Sequence, residues 1–266
     1  MAGDTLGLVL LMTIKRGRPM LHRTYPREKH TPLSVRLIWR LYYQIRRVLP
    51  ARTLLKMLLN SVWTLNALSW EQTRLYESSR ARKSEVDILR PNNVANAADG
   101  LDKSHRVCDF GGGLGDISSE LVKRGCDVVY CDTNPVFQKS VMEKFNSFPN
   151  FRMADSSALV KGQEGIFDLV ILSHVLEHIE NPTEFLNSIR KMAIRIHVEV
   201  PDLTADSLNF CRLELGLPVY RDDDHVIEMS LGYLKKLIEG SGFEIESIIS
   251  RDGCLVARAK SKMALI

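Results

Sequence analysis

The chain has 266 residues, of which 45% are hydrophobic and 26% charged. These proportions exclude collagen-like, mucin-like and wholly disordered chains, and fit one large domain or a core domain with an appendage. The net charge of +4 conceals an asymmetry: residues 1–60 carry twelve Lys/Arg against Asp4 and Glu28, or +10, whereas residues 101–266 carry 19 Lys/Arg against 25 Asp/Glu, or −6. A basic arm on a mildly acidic body points to an anionic partner (lipid surface, nucleic acid or acidic glycan) or to a helix that keeps its charges in water.

Leu6–Ile14 is apolar but short, and positive charges follow it rather than precede it, the reverse of a secretory signal. The Arg-rich, acid-poor stretch 11–60 also has the composition of an organelle-targeting segment. Pro32 opens a helix predicted from Leu33 to about Val48. Leu37, Ile38, Leu41, Tyr42, Ile45 and Val48 fall on one stripe of it, with Arg36, Arg40, Gln44 and Arg47 off that stripe. Pro50 ends it. A second helical run extends from Leu54 to about Tyr76. Its most apolar window, Met57 to Trp70, is too short to span a bilayer and contains Asn60, Ser61, Thr64, Asn66 and Ser69. A basic amphipathic helix lies on an anionic membrane or packs onto its own protein. Residues 1–90 therefore read as a basic helical extension. Pro91-Asn92-Asn93 and Asp99-Gly100 mark the passage to a domain over 91–266.

That domain alternates apolar runs with amphipathic ones. Strands are expected at Arg106–Phe110, Asp127–Cys131, Phe151–Met153, Phe167–Ser173, Ile194–Val200, Phe243–Ile249 and Gly253–Ala259. Helices are expected at Leu114–Arg124, Pro135–Phe145, Pro182–Met192 and Leu231–Gly240. Apolar strands in a βαβ rhythm imply a parallel sheet covered by helices on both faces. Only Ser250 to Asp252 separate the last two strands, so they form a hairpin. The fold class is α/β: a Rossmann-like, mixed seven-stranded sheet with one antiparallel edge. The five cysteines are odd in number and lack a C-x-x-C pair, which speaks for a reducing, cytoplasmic setting rather than a disulfide framework or zinc site.

The chemistry-bearing motif is Asp109-Phe110-Gly111-Gly112-Gly113-Leu114-Gly115, between the first strand and the first helix of the domain. Free N–H groups at a helix start and glycines that admit close approach suit a ligand there. A nucleotide-phosphate loop would end in Gly-Lys-Ser/Thr, and a dinucleotide fingerprint would need glycine where Asp116 stands. The pattern Asp-x-Gly-x-Gly-x-Gly instead resembles the class I S-adenosylmethionine-dependent methyltransferases. Asp132, Ala154-Asp155-Ser156, Phe167-Asp168-Leu169-Val170, the turn Ser173-His174-Val175-Leu176-Glu177-His178, and His197-Val198-Glu199-Val200-Pro201-Asp202 follow in the family's order. The Val-Leu-Glu-His turn is similar to the subgroup that includes ubiquinone-biosynthesis-type enzymes. The resemblance covers about residues 100–260. One departure is the missing Lys-Pro-Gly-Gly-like turn before the fifth strand, where Met192-Ala193 runs straight on.

The resemblance implies S-adenosylmethionine as cofactor. Asp109, Gly111, Gly113, Gly115, Asp132, Asp155 and Ser173 are then its binding residues. Asp109 would orient the loop and meet the methionine amino group or cap the helix. Asp132 would accept from the ribose hydroxyls, and Asp155 would meet the adenine amino group or cap a helix. His178 and His225 are the candidate catalytic residues: His178 as a neutral-pH base or as a brace of the cofactor loop through a backbone hydrogen bond, and His225 because the resemblance puts it at the mouth of the acceptor pocket. No metal site is expected: Asp222, Asp223 and Asp224 point in different directions on any regular backbone. The fourth-strand turn lacks the Asn/Asp-Pro-Pro-Tyr/Phe of base and glutamine N-methyltransferases. By resemblance it implies transfer to oxygen or carbon of a small-molecule, lipid or glycan acceptor; for a membrane-bound acceptor, the basic arm and its apolar stripe would hold the enzyme at an anionic membrane. Two alternatives stay open. One is an RNA or protein methyltransferase that binds its substrate through the basic arm, with nucleic acid less favoured because few aromatics interleave the charges. The other is a non-catalytic subunit of this fold.

Overall fold

The computed structural model describes residues 33–79, 94, 96–161, 166–219 and 224–263. The stretch 6–14, the Pro91–Asn93 linker and residues 221–223 of the acidic run lie outside the described residues. By contacts the chain divides between Met57 and Leu58. The first unit holds helix α1 (Leu33–Val48), whose last turn carries Arg46 and Arg47. Of its apolar stripe, Ile38, Leu41 and Val48 are exposed, whereas Tyr42 and Ile45 are half-buried. Helix α2 (Ala51–Ser79) follows.

The body is built on strands β1 (Arg106–Phe110), β2 (Asp127–Cys131), β3 (Phe151–Met153), β4 (Phe167–Ser173), β5 (Ala193–Pro201), β6 (Phe243–Arg251) and β7 (Cys254–Ser261). Their order in the sheet is β3-β2-β1-β4-β5-β7-β6. β1 pairs in parallel with both β2 and β4, so the order reverses beside β1. Open α/β sheets bind ligands at the carboxyl ends of the strands flanking such a reversal. The hairpin gives the antiparallel edge: β7 runs against β5 and β6, and β6 lies outermost.

Helices α3 (Asp116–Lys123), α4 (Pro135–Phe145), α5 (Ser156–Val160), α6 (Pro182–Ile189), α7 (Leu208–Glu214) and α8 (Leu231–Gly240) surround the sheet. Period-two alternation along each strand sorts side chains to two faces. Val107, Val128, Tyr130, Leu169 and Ile171 pack with Leu121, Val141 and Phe145 of α3 and α4. Cys108, Val129, Val170, Leu172 and Ile196 pack with Leu186, Ile189, Leu234 and Ile238 of α6 and α8. Local capping fixes where these helices start. Asn134, Asn181 and Ser230 accept from Val136, Glu184 and Tyr233 N–H, and Pro135 and Pro182 occupy the first turns, where a missing N–H is harmless.

Two of the body's expected helices shift, and β5, β6 and β7 run past their expected ends. α3 begins at Asp116 rather than Leu114, because Gly113 and Gly115 hold φ of 52° and 77°, which a right-handed helix cannot contain. α6 ends at Ile189, and Lys191–Met192 turns the chain into β5 through the bond from Met192 N–H to Ile189 O. α5 is the helix that Asp155 caps in its alternative expected role, whereas α7 has no counterpart among the expected elements. α7 is inverted: Leu208, Phe210 and Leu213 are exposed while Arg212 is buried. Arg212 donates to Leu59 O at 2.8 Å and to Pro218 O at 2.5 Å, and its guanidinium lies 5.3 Å from the centre of the Trp63 ring. A helix that turns its polar side inward carries no core-facing apolar stripe to detect. All five cysteines are free. Among the described residues no helix is long and apolar enough to cross a membrane.

Candidate cofactor and acceptor site

The glycine turn leaves the carboxyl end of β1 and is pinned from below. Gly111 and Gly112 N–H donate to Cys131 O at 2.8 and 3.2 Å, and the Tyr130 hydroxyl donates to Gly113 O at 2.7 Å. Gly112 has no room for a side chain: a Cβ there would meet the Tyr130 ring at 2.7 Å and the Asp109 carboxyl carbon at 2.8 Å. Gly113 differs. Its φ of 52° favours glycine, and a Cβ there would meet nothing within 4 Å. The turn is thus packed tight on its inner side and open over Gly113, which fits a cofactor laid against its backbone.

Asp109 lies in register between Tyr130 of β2 and Ile171 of β4. Its carboxylate is 1% exposed and accepts from Ser118 N–H at 3.0 Å and Ser118 Oγ at 2.6 Å. It therefore ties the strand end to the first turn of α3. Burial pushes its pKa up to about 6; the Ser118 bonds oppose that rise, and the Asp132 and Asp116 charges add to it.

Asp132 follows β2 and is half-buried. One oxygen accepts from Gly113 N–H at 2.9 Å and the other from Asn134 N–H at 2.7 Å. Each oxygen keeps a further lone pair, so the group can still accept from two ligand hydroxyls. Asp155 is exposed and caps α5, accepting from Ser157 N–H, Ala158 N–H and Ser157 Oγ through Oδ1. The Ser157 hydroxyl bond is the largest influence holding its carboxyl below the usual range.

Ser173 ends β4, and the turn after it folds back onto the glycines. A Cβ on Gly111 would stand 2.7 Å from Val175 Cγ2, so this turn and the cofactor loop are in contact. His174 holds φ 55°, a sparsely populated conformation for a non-glycine residue. Its N–H donates to Glu199 O at 2.8 Å, and its Nδ1 lies 3.0 Å from Glu177 Oε1. Burial works to lower the His174 pKa, but the Cys254 sulfur and the Glu177 carboxylate prevail and lift it to about 10. Glu177 is 1% exposed. His178 Nδ1 lies 3.3 Å from Asp224 O and 3.4 Å from Asp224 Oδ2. His225 Nδ1 lies 2.8 Å from Glu228 Oε1. The His178 and His225 rings meet edge-on with centroids 4.8 Å apart. A cavity of about 300 Å³ lined by His105, Asp168, Arg195, Glu246 and Arg258 sits at the opposite, amino-terminal ends of the strands, away from this chemistry.

A family described as a methyltransferase domain matches residues 80–248, well over half of the chain. The chain belongs to that methyltransferase family. Ribosomal RNA small subunit methyltransferase A of Dehalococcoides mccartyi is 35% identical over 75 residues, 28% of this chain. The chain spans about a quarter of the length of the curated relatives it matches, 25% in that case. Among solved structures, a TehB-like SAM-dependent methyltransferase from Corynebacterium glutamicum shares 17% identity, covering 75% of this chain and 100% of its own, with a TM-score of 0.50. Magnesium protoporphyrin IX methyltransferase from Synechocystis, solved with SAH bound, shares 18%, covering 74% and 96%, at 0.52. The mitomycin 7-O-methyltransferase MmcR shares 16%, covering 75% and 60%, at 0.51. At these identities the structures share the fold.

Within this methyltransferase the three glycines, Asp109, Asp132 and Ser173 gather at the carboxyl ends of β1, β2 and β4. Asp155 stands beside them after β3. His178 and His225 come together from segments far apart in sequence. Three residues of the site carry no family signal in the sequence: Ser118, which holds Asp109; Tyr130, which holds Gly113; and Gly112, whose missing Cβ makes room for the Tyr130 ring and the Asp109 carboxylate. Gly112 was visible as a glycine, but only packing shows why it is needed.

Proposed function

We propose that this methyltransferase transfers a methyl group to an oxygen, or an acidic carbon, of a small-molecule, lipid or glycan acceptor. The observation that carries the reading is the meeting of His178 and His225 over the buried Glu177, on a turn that packs against the cofactor loop through Val175. Two imidazoles beside a cofactor turn suit an acceptor hydroxyl or acidic carbon that must lose a proton. The Ser173-His174-Val175-Leu176 turn, of the Val-Leu-Glu-His type, supports the same acceptor class, as do magnesium protoporphyrin IX methyltransferase and mitomycin 7-O-methyltransferase among the proteins of this fold.

Bound S-adenosylmethionine supplies an already activated methyl group, so the chain mainly aligns and shields. Gly111, Gly113 and Gly115 offer backbone to the cofactor, and Asp132 accepts from its ribose hydroxyls. Asp109 holds the turn through Ser118, and Asp155 would meet the adenine edge. Proximity and orientation of this kind supply roughly 7–11 kcal/mol of barrier reduction in favourable cases. The exposed Ile38, Leu41 and Val48 beside Arg46 and Arg47 support contact of the basic extension, residues 1–90, with an anionic membrane, leaving 91–266 as the catalytic domain. Free thiols suit a cytoplasmic setting.

A second reading has one observation in its favour. The 35% identity to a ribosomal RNA methyltransferase over 75 residues, together with the basic arm, supports an RNA acceptor. Calorimetric titration with S-adenosylmethionine and S-adenosylhomocysteine, on the native chain and on Asp132→Ala, tests the cofactor site. Micromolar binding lost in the variant is expected. Labelled-methyl transfer to hydroxylated lipids, glycans and RNA then separates the acceptors. Absence of cofactor binding, or transfer to RNA alone, would overturn the proposal.

A further inference from the structure

We propose that Glu177, His178 and His225 form a site for one divalent first-row metal ion of the zinc class at the mouth of the acceptor cleft. The 3₁₀ turn Leu176–His178 supplies the first two residues, and the loop before α8 supplies the third. The two segments are locked together by backbone bonds: Glu177 O accepts from Val226 N–H at 2.9 Å and from Ile227 N–H at 3.2 Å. One ligand atom from each of the three side chains lies within 4.8 Å of the other two. Ligands about 2.0–2.2 Å from a tetrahedral ion stand roughly 3.4 Å from one another, so closure on an ion asks each side chain to move by less than about an ångström.

Glu177 provides the independent reason to expect a cation. It is 1% exposed, and its Oε2 is buried with no hydrogen-bond partner. A carboxylate oxygen sealed from water without a donor is costly, and a metal ion is one of the few groups that satisfies it. The two histidines are oriented as metal-bound histidines are. His225 Nδ1 faces Glu228 Oε1 at 2.8 Å, with both side chains buried, which leaves its Nε2 for a ligand bond. His178 Nδ1 faces Asp224 in the same way. Two imidazoles and one carboxylate leave a fourth position open, the arrangement of catalytic rather than structural zinc. An acceptor hydroxyl in that position would have its pKa lowered by the ion. This role rests on the proposed acceptor class, whereas the binding itself does not.

A second group, His174, Glu199 and Cys254, also gathers within 4.8 Å. There both ring nitrogens of His174 already face carboxylates, at 3.0 Å from Glu177 and 3.9 Å from Glu199. Its cysteine makes the two groups distinguishable by experiment.

The full chain, stripped with chelator, is titrated with Zn²⁺ by calorimetry and with Co²⁺ by absorption spectroscopy. One ion per chain is expected, with no thiolate charge-transfer band from Co²⁺. His178→Ala and His225→Ala should each weaken binding by about 10-fold or more, and Cys254→Ser should leave it unchanged. Glu177→Gln should behave like the histidine variants if it folds; the histidine variants, which alter less buried side chains, keep the test valid if it does not. Absence of binding, binding indifferent to both histidines, or binding lost with Cys254 would overturn the proposal. S-adenosylhomocysteine affinity measured in parallel separates this failure from failure of the cofactor site.

Discussion

Asp109→Asn tests whether the buried carboxylate under the cofactor turn is a source of pH-dependent stability. Its pKa stands at about 6 in the folded protein against 3.8 for the free side chain, with burial as the first cause. Because the folded state holds the proton more tightly, the group's contribution is fully present below the unfolded value and is lost as pH rises through about 6. A shift of roughly two units corresponds to about 3 kcal/mol at 1.36 kcal/mol per unit. The native chain should therefore lose about that much stability, relative to Asp109→Asn, between about pH 4 and about pH 7. Asparagine Oδ1 can keep both bonds from Ser118, so the variant changes charge and little else. Urea unfolding followed by circular dichroism across that range gives the two stabilities. A difference that does not vary with pH, or that grows in favour of the native chain as pH rises, would refute the reasoning. It would mean that the Ser118 bonds outweigh the cost of burial.

The remaining predictions concern separate parts of the fold. Gly112→Ala forces a Cβ to 2.7 Å from the Tyr130 ring and should cost about 1–3 kcal/mol in thermal unfolding. Gly113→Ala meets no atom but must hold φ 52°; it should cost about 1–2 kcal/mol and weaken S-adenosylhomocysteine binding out of proportion to that loss. Equal effects of the two changes on cofactor affinity would contradict the open side assigned to Gly113. His197 is fully buried with neither ring nitrogen partnered, and burial, helped by the Arg258 charge, pushes its pKa down to about 4. Its neutral form is needed for folding, so stability should fall by roughly 3 kcal/mol as pH drops from about 6.5 to about 4. His197→Leu should flatten that fall, as measured by denaturant titration at the two ends of the range. An unchanged acid limb would remove His197 as its cause.

Much of this protein was legible before its structure. The strands Arg106–Phe110, Asp127–Cys131, Phe151–Met153 and Phe167–Ser173 fall at the apolar runs bounded by Gly, Asp and Pro, and Phe167–Ser173, in the middle of the sheet, leaves the longest such record. The Asp109–Gly115 turn and the acid at Asp132 could be found because their spacing is set by local backbone geometry. α7 could not be found, since it turns Arg212 inward and leaves its apolar side chains outside. Ser118 and Tyr130 escaped notice because serine in a helix and tyrosine in a strand are ordinary until Asp109 and Gly113 are seen against them.

The sequence by itself determined the alternation of strands and helices, the helix caps and the glycine turn, all of which depend on residues within a few positions of one another. Tertiary structure alone decided which distant groups meet. It brought His225 onto His178, left Glu177 sealed with an unpaired oxygen, laid Val175 over Gly111, and put Arg212 against Leu59 and Trp63. These contacts join residues whose separation along the chain carries no periodic signal. They follow from the order in which the sheet assembles its strands.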